Sequence, residues 1–231
     1  MQLKNTKDIS IKDAKKKWLI YGSSGSGKTT FAGTFPSPVF LDLDDKMTPL
    51  LGKDIPFYSF KGEPPGSVWF SIMKALKEAI GIEGRSTIVI DSLTSLSDAA
   101  MASVQLLSST SGKMPSQPEY GAQLVKIKEF LSLLLSAEKN IVVTAHEKIT
   151  KDELLGRIWS TPMVTGQLSG TISRYFDEVY HSEVVTEVGK EASYRLLMRS
   201  NNIYTGKTSF RGISLMRLYF PPSFEDIQAF L

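Results

Sequence analysis

The stretch from Trp18 to Thr29 constrains the fold of this 231-residue chain more than any other part of it. Trp18 to Tyr21 is a short apolar run of the kind that forms a buried strand. It leads without a break into Gly22-Ser23-Ser24-Gly25-Ser26-Gly27-Lys28-Thr29, which satisfies G-x-x-x-x-G-K-[ST]. Glycines at these places let the backbone curl so that successive N–H groups point inward, in conformations that side chains would obstruct. Such a curl, followed by a helix N-terminus, holds phosphate. Lys28 then reaches the β- and γ-phosphates as a point charge, and the Thr29 hydroxyl ligates Mg²⁺. The expected cradle comprises Gly22, Ser23, Ser24, Gly25, Ser26, Gly27, Lys28, Thr29 and Thr30, and its expected ligand is a Mg²⁺-bound nucleoside triphosphate.

A metal held this way needs a carboxylate at the end of a neighbouring strand. Thr87 to Ile90 is another buried run and leads into Asp91, the expected metal-supporting residue of a Walker B strand.

The remaining pattern alternates short apolar runs with helix-period segments, as βαβ units do. Strands are expected at Pro38–Leu43 and Ile141–Ala145. Helices are expected around Gly66–Ile80, Leu93–Leu107 and Leu124–Leu134, with a shorter one near Gly166–Phe176. Ser108–Pro118 reads as a loop, and Lys148–Thr165, which has no clean period, as a long mobile one. Alternating strands around Val179–Val185 and Tyr194–Met198 predict an antiparallel C-terminal part, closed by a short helix after Pro221 and Pro222.

The chain contains no cysteine, which rules out disulfides and thiolate chemistry and favours a cytoplasmic setting. Nowhere do eighteen apolar residues run together, so a soluble protein without a membrane partner is expected. The net charge of +3 is concentrated: residues 1–17 hold six lysines against Asp8 and Asp13, forming a basic arm ahead of a single domain at 18–231. A second basic stretch contains Arg199, Lys207 and Arg211.

From Trp18 to Phe220 the chain resembles the RecA/RadA recombinase core, and more closely the short RecA-like phage ATPases of the single-strand annealing type. The resemblance implies a three-layer α/β, RecA-like P-loop NTPase with a mainly parallel central sheet extended by C-terminal antiparallel strands. It implies an ATPase that uses ATP and Mg²⁺. In that family the strand after the phosphate-loop helix ends in a carboxylate, usually Glu, that polarises the attacking water. Leu41-Asp42-Leu43-Asp44-Asp45 occupies this place, which makes Asp44 the counterpart, with Asp45 as the alternative. Thr144-Ala145-His146-Glu147 is similar to the phage group's strand-end signature and places His146 as γ-phosphate sensor.

The resemblance also labels Ser108–Tyr120 and Glu147–Thr165 as DNA-binding loops, with Lys113, Lys148, Lys151, Arg157 and Trp159 as candidates for single-stranded DNA: cations for phosphates, an exposed ring for a base. It implies a homo-oligomer, ring or filament, in which Arg199, Lys207 or Arg211 acts on a neighbour's γ-phosphate, and a single-strand-binding protein as a further partner. No counterpart of the recombinases' separate N-terminal domain or subunit-bridging peptide is found, so strand exchange is not implied. Two other readings share the cradle: a small-molecule kinase, against which stands the absence of an arginine-rich lid, and a nucleotide-dependent switch that binds protein.

Overall fold

The computed structural model describes residues 5, 14–153, 156–210 and 218–229. The first strand, β1 (Lys17–Gly22), lies inside the sheet and is buried on both faces from Trp18 to Tyr21, which is why that run is continuously apolar. Leu19 and Tyr21 join one core and Trp18 and Ile20 the other. The chain leaves β1 through the short helix α1 (Lys28–Ala32), crosses to β2 (Pro38–Asp42) and the edge strand β3 (Phe57–Ser59), and then returns. Helix α2 (Pro65–Gly81) leads to β4 (Thr87–Asp91). Helices α3 (Leu93–Leu107) and α4 (Gln117–Leu135) lead to β5 (Asn140–Lys151), which slots between β4 and β1.

All pairings among β3, β2, β4, β5, β1 and β7 (Glu178–Val185) are parallel. Strands β8 (Ser193–Leu197) and β9 (Tyr219–Phe220) extend the sheet antiparallel, giving the order β3-β2-β4-β5-β1-β7-β8-β9. Helices α2, α3 and α4 contribute to the core on one face. On the other, α1 and the closing helix α5 (Phe224–Gln228) pack with Trp18, Phe35 and Tyr180. This is the three-layer architecture that the resemblance implies, parallel then antiparallel as the sequence pattern predicts.

Register places the strand ends together: Gly22 lies beside His146 and Asp42 beside Asp91, so β1, β5, β2 and β4 finish along one rim. In parallel α/β sheets ligands bind at that rim.

Three local expectations are corrected. The long loop expected at Lys148–Thr165 is instead largely a β-hairpin: β5 runs on to Lys151 and pairs antiparallel with β6 (Ile158–Pro162). Ser160 N–H also donates to Ile203 O at 2.8 Å, which supports β6 on its far side. The helix expected near Gly166–Phe176 is two short 3-10 turns, Gly166–Leu168 and Ile172–Tyr175. Helix α4 begins at Gln117, seven residues before its first expected apolar position at Leu124, because the Glu119 carboxylate caps the turn by accepting from Ser116 N–H and Ser116 Oγ, both at 2.7 Å.

Most of the basic arm, residues 1–4 and 6–13, lies outside the described residues. Its last two lysines are built into the fold. Lys16 Nζ donates to Ser209 Oγ at 2.6 Å and sits over the Phe210 ring, and Lys17 Nζ donates to Ala137 O at 2.8 Å.

Candidate nucleotide-binding site

At the end of β1 the backbone of β7 comes so close that a Cβ on Gly22 would lie 2.2 Å from Ser182 O; only glycine fits there. Ser182 Oγ then donates to Ser26 O at 2.6 Å, fastening the loop from beneath. Gly27 caps α1 in the left-handed region, with φ of 86°, and packs against the Tyr194 ring. Lys28 follows, buried, with its ammonium donating to Gly22 O at 3.0 Å and Ser23 O at 2.7 Å. Burial lowers its pKa from the ordinary lysine value, and the carboxylates of Asp91, Asp44 and Glu147 oppose the shift.

Thr29 Oγ1 donates to Asp91 Oδ2 at 2.6 Å, and Thr144 Oγ1 donates to Asp91 Oδ1. The Asp91–Ser92 peptide bond is cis. Burial pushes the Asp91 carboxyl above the usual aspartate range, against those two hydrogen bonds. Thus the hydroxyl and the carboxylate expected to serve one metal are already in contact, and both are hard oxygen donors suited to Mg²⁺. Among the described residues no group of three or more acidic or histidine side chains forms a metal cage, so such an ion would take its remaining ligands from phosphate and water.

Asp44 and Asp45 diverge. Asp44 Oδ1 accepts from Ser92 Oγ at 2.8 Å and from Ser95 Oγ, and its Oδ2 lies 3.3 Å from His146 Nε2. Asp45 takes a left-handed backbone, φ 55°, and turns out to pair with Lys61 at 2.7 Å. A cleft of about 520 Å³ gathers Lys28, Thr29, Asp44, Asp91 and His146 on its walls, with the exposed Thr30 at its margin.

Beside His146, Glu147 points the other way. Its Oε2 lies 3.1 Å from His181 Nε2 and accepts from Ser160 Oγ at 2.7 Å. The His181 bond, outweighing burial, holds the Glu147 carboxyl below the usual range. His181 is buried and stacks on Tyr204 with ring centres 3.7 Å apart. Tyr194, whose ring lines the cleft, and the Glu147–His181 pair are features that sequence reading misses. Each depends on contacts between strands far apart in sequence.

The nucleic-acid candidates divide. Lys148, Lys151, Arg157 and Trp159 all lie exposed on the β5–β6 hairpin. Trp159 pairs with Thr150, so its ring shares a face with Lys148, whereas Lys151 shares the opposite face with Ile149 and Ile158. Lys113 is exposed on the separate loop between α3 and α4. Of the basic candidates near the C-terminus, Arg199 is exposed just past β8, and Lys207 donates to Phe176 O at 2.6 Å near the start of β7. Arg211 lies outside the described residues.

A strand, a phosphate loop and a helix, facing carboxylates on two neighbouring strand ends, define a P-loop nucleotide-binding domain. Residues 14–210 match the AAA domain family, and the chain belongs to that family of P-loop ATPases. No curated protein matches the sequence. Among solved structures, an ATPase from the type III secretion system of pathogenic bacteria is 15% identical over 72% of this chain, with a TM-score of 0.49. The match spans 50% of that protein's length. No helix among the described residues is long and apolar enough to cross a membrane.

Proposed function

We propose that this AAA-family chain is a Mg²⁺-dependent ATPase acting on single-stranded DNA in phage-type recombination or annealing, in the cytoplasm and as a homo-oligomer. One observation carries the reading. Strand β5 passes without interruption from His146, in contact with Asp44, into the hairpin that exposes Lys148, Lys151, Arg157 and Trp159. A change at the γ-phosphate side therefore reaches a basic, aromatic surface through a single rigid element.

In this reading the amides from Gly22 to Thr30 and the Lys28 ammonium bind the polyphosphate. Thr29 and Asp91 hold Mg²⁺, which neutralises charge on the phosphates when bound. Asp44 accepts the proton of the water that attacks the γ-phosphorus, as the bond to ADP breaks. Ser92 and Ser95 fix the carboxylate for that task, and His146 registers the loss of the γ-phosphate. Lys113 and the hairpin cations neutralise DNA phosphates, and Trp159 stacks on a base. A basic residue such as Arg199, Lys207 or Arg211 serves a neighbouring subunit, and a single-strand-binding protein is a further partner.

The test is ATP turnover with and without single-stranded DNA across a salt series. Stimulated turnover and binding that weakens with salt are expected. A rate indifferent to DNA, with no salt-dependent binding, would leave a nucleotide switch for protein partners. Phosphate transfer to a nucleoside or sugar would make the protein a kinase.

A further inference from the structure

Besides Lys28, one other lysine or arginine lines the nucleotide cleft among the described residues: Lys46, two residues beyond Asp44 on the loop that follows β2. It belongs to no motif, and its place is set by the fold. Lys46 N–H donates to Asp42 Oδ1 at 3.2 Å, which closes the turn at the end of β2. The next residue, Met47, is buried and leads into a 3-10 turn, Thr48–Leu50. Leu50 is buried against the end of α1, so closely that a Cβ on Gly33 would lie 2.5 Å from it. The loop is thereby tied to the helix that starts at the phosphate loop.

The Lys46 side chain is exposed and unspent. Three carboxylates lie within four residues of it, and each is engaged elsewhere: Asp42 with the backbone, Asp44 with Ser92, Ser95 and His146, and Asp45 with Lys61. Among the described residues the Lys46 ammonium has no hydrogen-bond or ion-pair partner. It is near enough to the Lys28 ammonium to act on it: burial first, and the Lys46 charge with it, lowers the Lys28 pKa. Two like charges that converge on one cleft favour a polyanion between them.

We propose that Lys46 is a catalytic residue acting in cis, its ammonium contacting the γ-phosphate and neutralising the charge that develops as water attacks phosphorus and the bond to ADP breaks. The inference rests on the ATPase reading and is independent of the DNA reading. The proton of the water goes to Asp44, the electron pair of the breaking bond goes to the departing β-phosphate oxygen, and Lys46 stays protonated throughout. Phosphoryl transfer depends on positioning and charge neutralisation more than on covalent chemistry, which is why a single cation at the γ-phosphate carries so much of the rate. Here the proton acceptor and the cation share one loop, so both stand at the cleft within a single chain. Neither Arg199 nor Lys207 lines the cleft of its own chain, and Lys207 is spent on Phe176 O.

The experiment measures ATP turnover by the full chain with Mg²⁺, together with calorimetric binding of ADP and of a non-hydrolysable ATP analogue. Lys46→Ala should slow turnover about 10²–10³-fold. It should weaken the analogue about tenfold, the loss of one charge-assisted contact, while ADP affinity stays within about threefold. Its Tm should match the wild type, because the side chain is exposed. Mixing Lys46→Ala with Lys28→Ala, whose own site is disabled but whose Lys46 is intact, should restore no activity. A normal rate in Lys46→Ala, or equal loss of analogue and ADP affinity, would overturn the assignment while the ATPase reading stands. Activity restored by mixing would place Lys46 in a neighbour's site and overturn its action in cis. No turnover by the wild type, with or without single-stranded DNA, would overturn the ATPase reading, and the Lys46 assignment with it.

Discussion

Asp44 and His146 face each other across 3.3 Å, the one carried past the end of β2 and the other on β5. Two serines hold the far oxygen of Asp44, so its position is set by α3 and not by its own loop. On the proposed mechanism Asp44→Asn keeps the shape and the serine contacts but cannot take a proton. Turnover is expected to fall on the order of 10²–10⁴-fold, with nucleotide affinity within a few-fold of wild type. Steady-state rates together with calorimetric ATP binding check this. Asp45→Asn, which removes only an exposed pair with Lys61, should leave the rate unchanged, and a loss there instead of at Asp44 would reverse the assignment.

Asp91 predicts a different signature. Burial raises its native pKa above the ordinary 3.8, so the unfolded chain ionises first and stability falls as pH rises from about that value through the raised one, then levels off. Asp91→Asn abolishes this burden. The variant should match or exceed the wild-type Tm at neutral pH, with the gap closing as pH falls through the raised value towards 3.8, while Mg²⁺-dependent turnover is lost. Thermal melts over a pH series measure it; a variant less stable than wild type at neutral pH would refute it.

The cradle is legible in the sequence because its groups are consecutive residues with a fixed backbone path, and Asp91 is legible because a buried strand must end at the rim. Which of Asp44 and Asp45 faces the cleft is not, since it depends on a left-handed turn at Asp45 that spends that carboxylate on Lys61. The hairpin evades a periodicity argument because both of its faces are partly exposed: Ile149 and Ile158 crop up on one side and Trp159 on the other. Strand β3, three residues long at the sheet edge, is too short to carry a pattern. Tyr194 and His181 reach their places through β7 and β8, whose register with β1 no local signal encodes.

Gly27 tests the cradle without touching a charge. Alanine there would hold a left-handed backbone at a cost of about 1–2 kcal/mol and bring its Cβ 3.0 Å from the Tyr194 ring. Gly27→Ala should lower Tm and weaken nucleotide binding at least tenfold. Adding Tyr194→Ala should recover part of the stability by removing the clash, though none of the backbone strain. Full recovery in the double variant would show that the ring contact alone requires glycine.

The hairpin's two faces make separable predictions. Lys148 and Trp159 share one face, so if that face meets DNA, Lys148→Ala should reduce the salt dependence of binding by about 0.7 in log–log slope for one lost phosphate contact. Trp159→Ala should lower affinity by about 1–3 kcal/mol and leave that slope alone, because stacking releases no counterions. Lys151, on the opposite face with Ile149 and Ile158, should reduce the slope less than Lys148 does when changed to alanine. If Lys151→Ala shifts the slope and Lys148→Ala does not, the DNA runs along the other side of the hairpin and Trp159 is not its stacking platform. Binding titrations at four or five salt concentrations on the three single variants distinguish these outcomes.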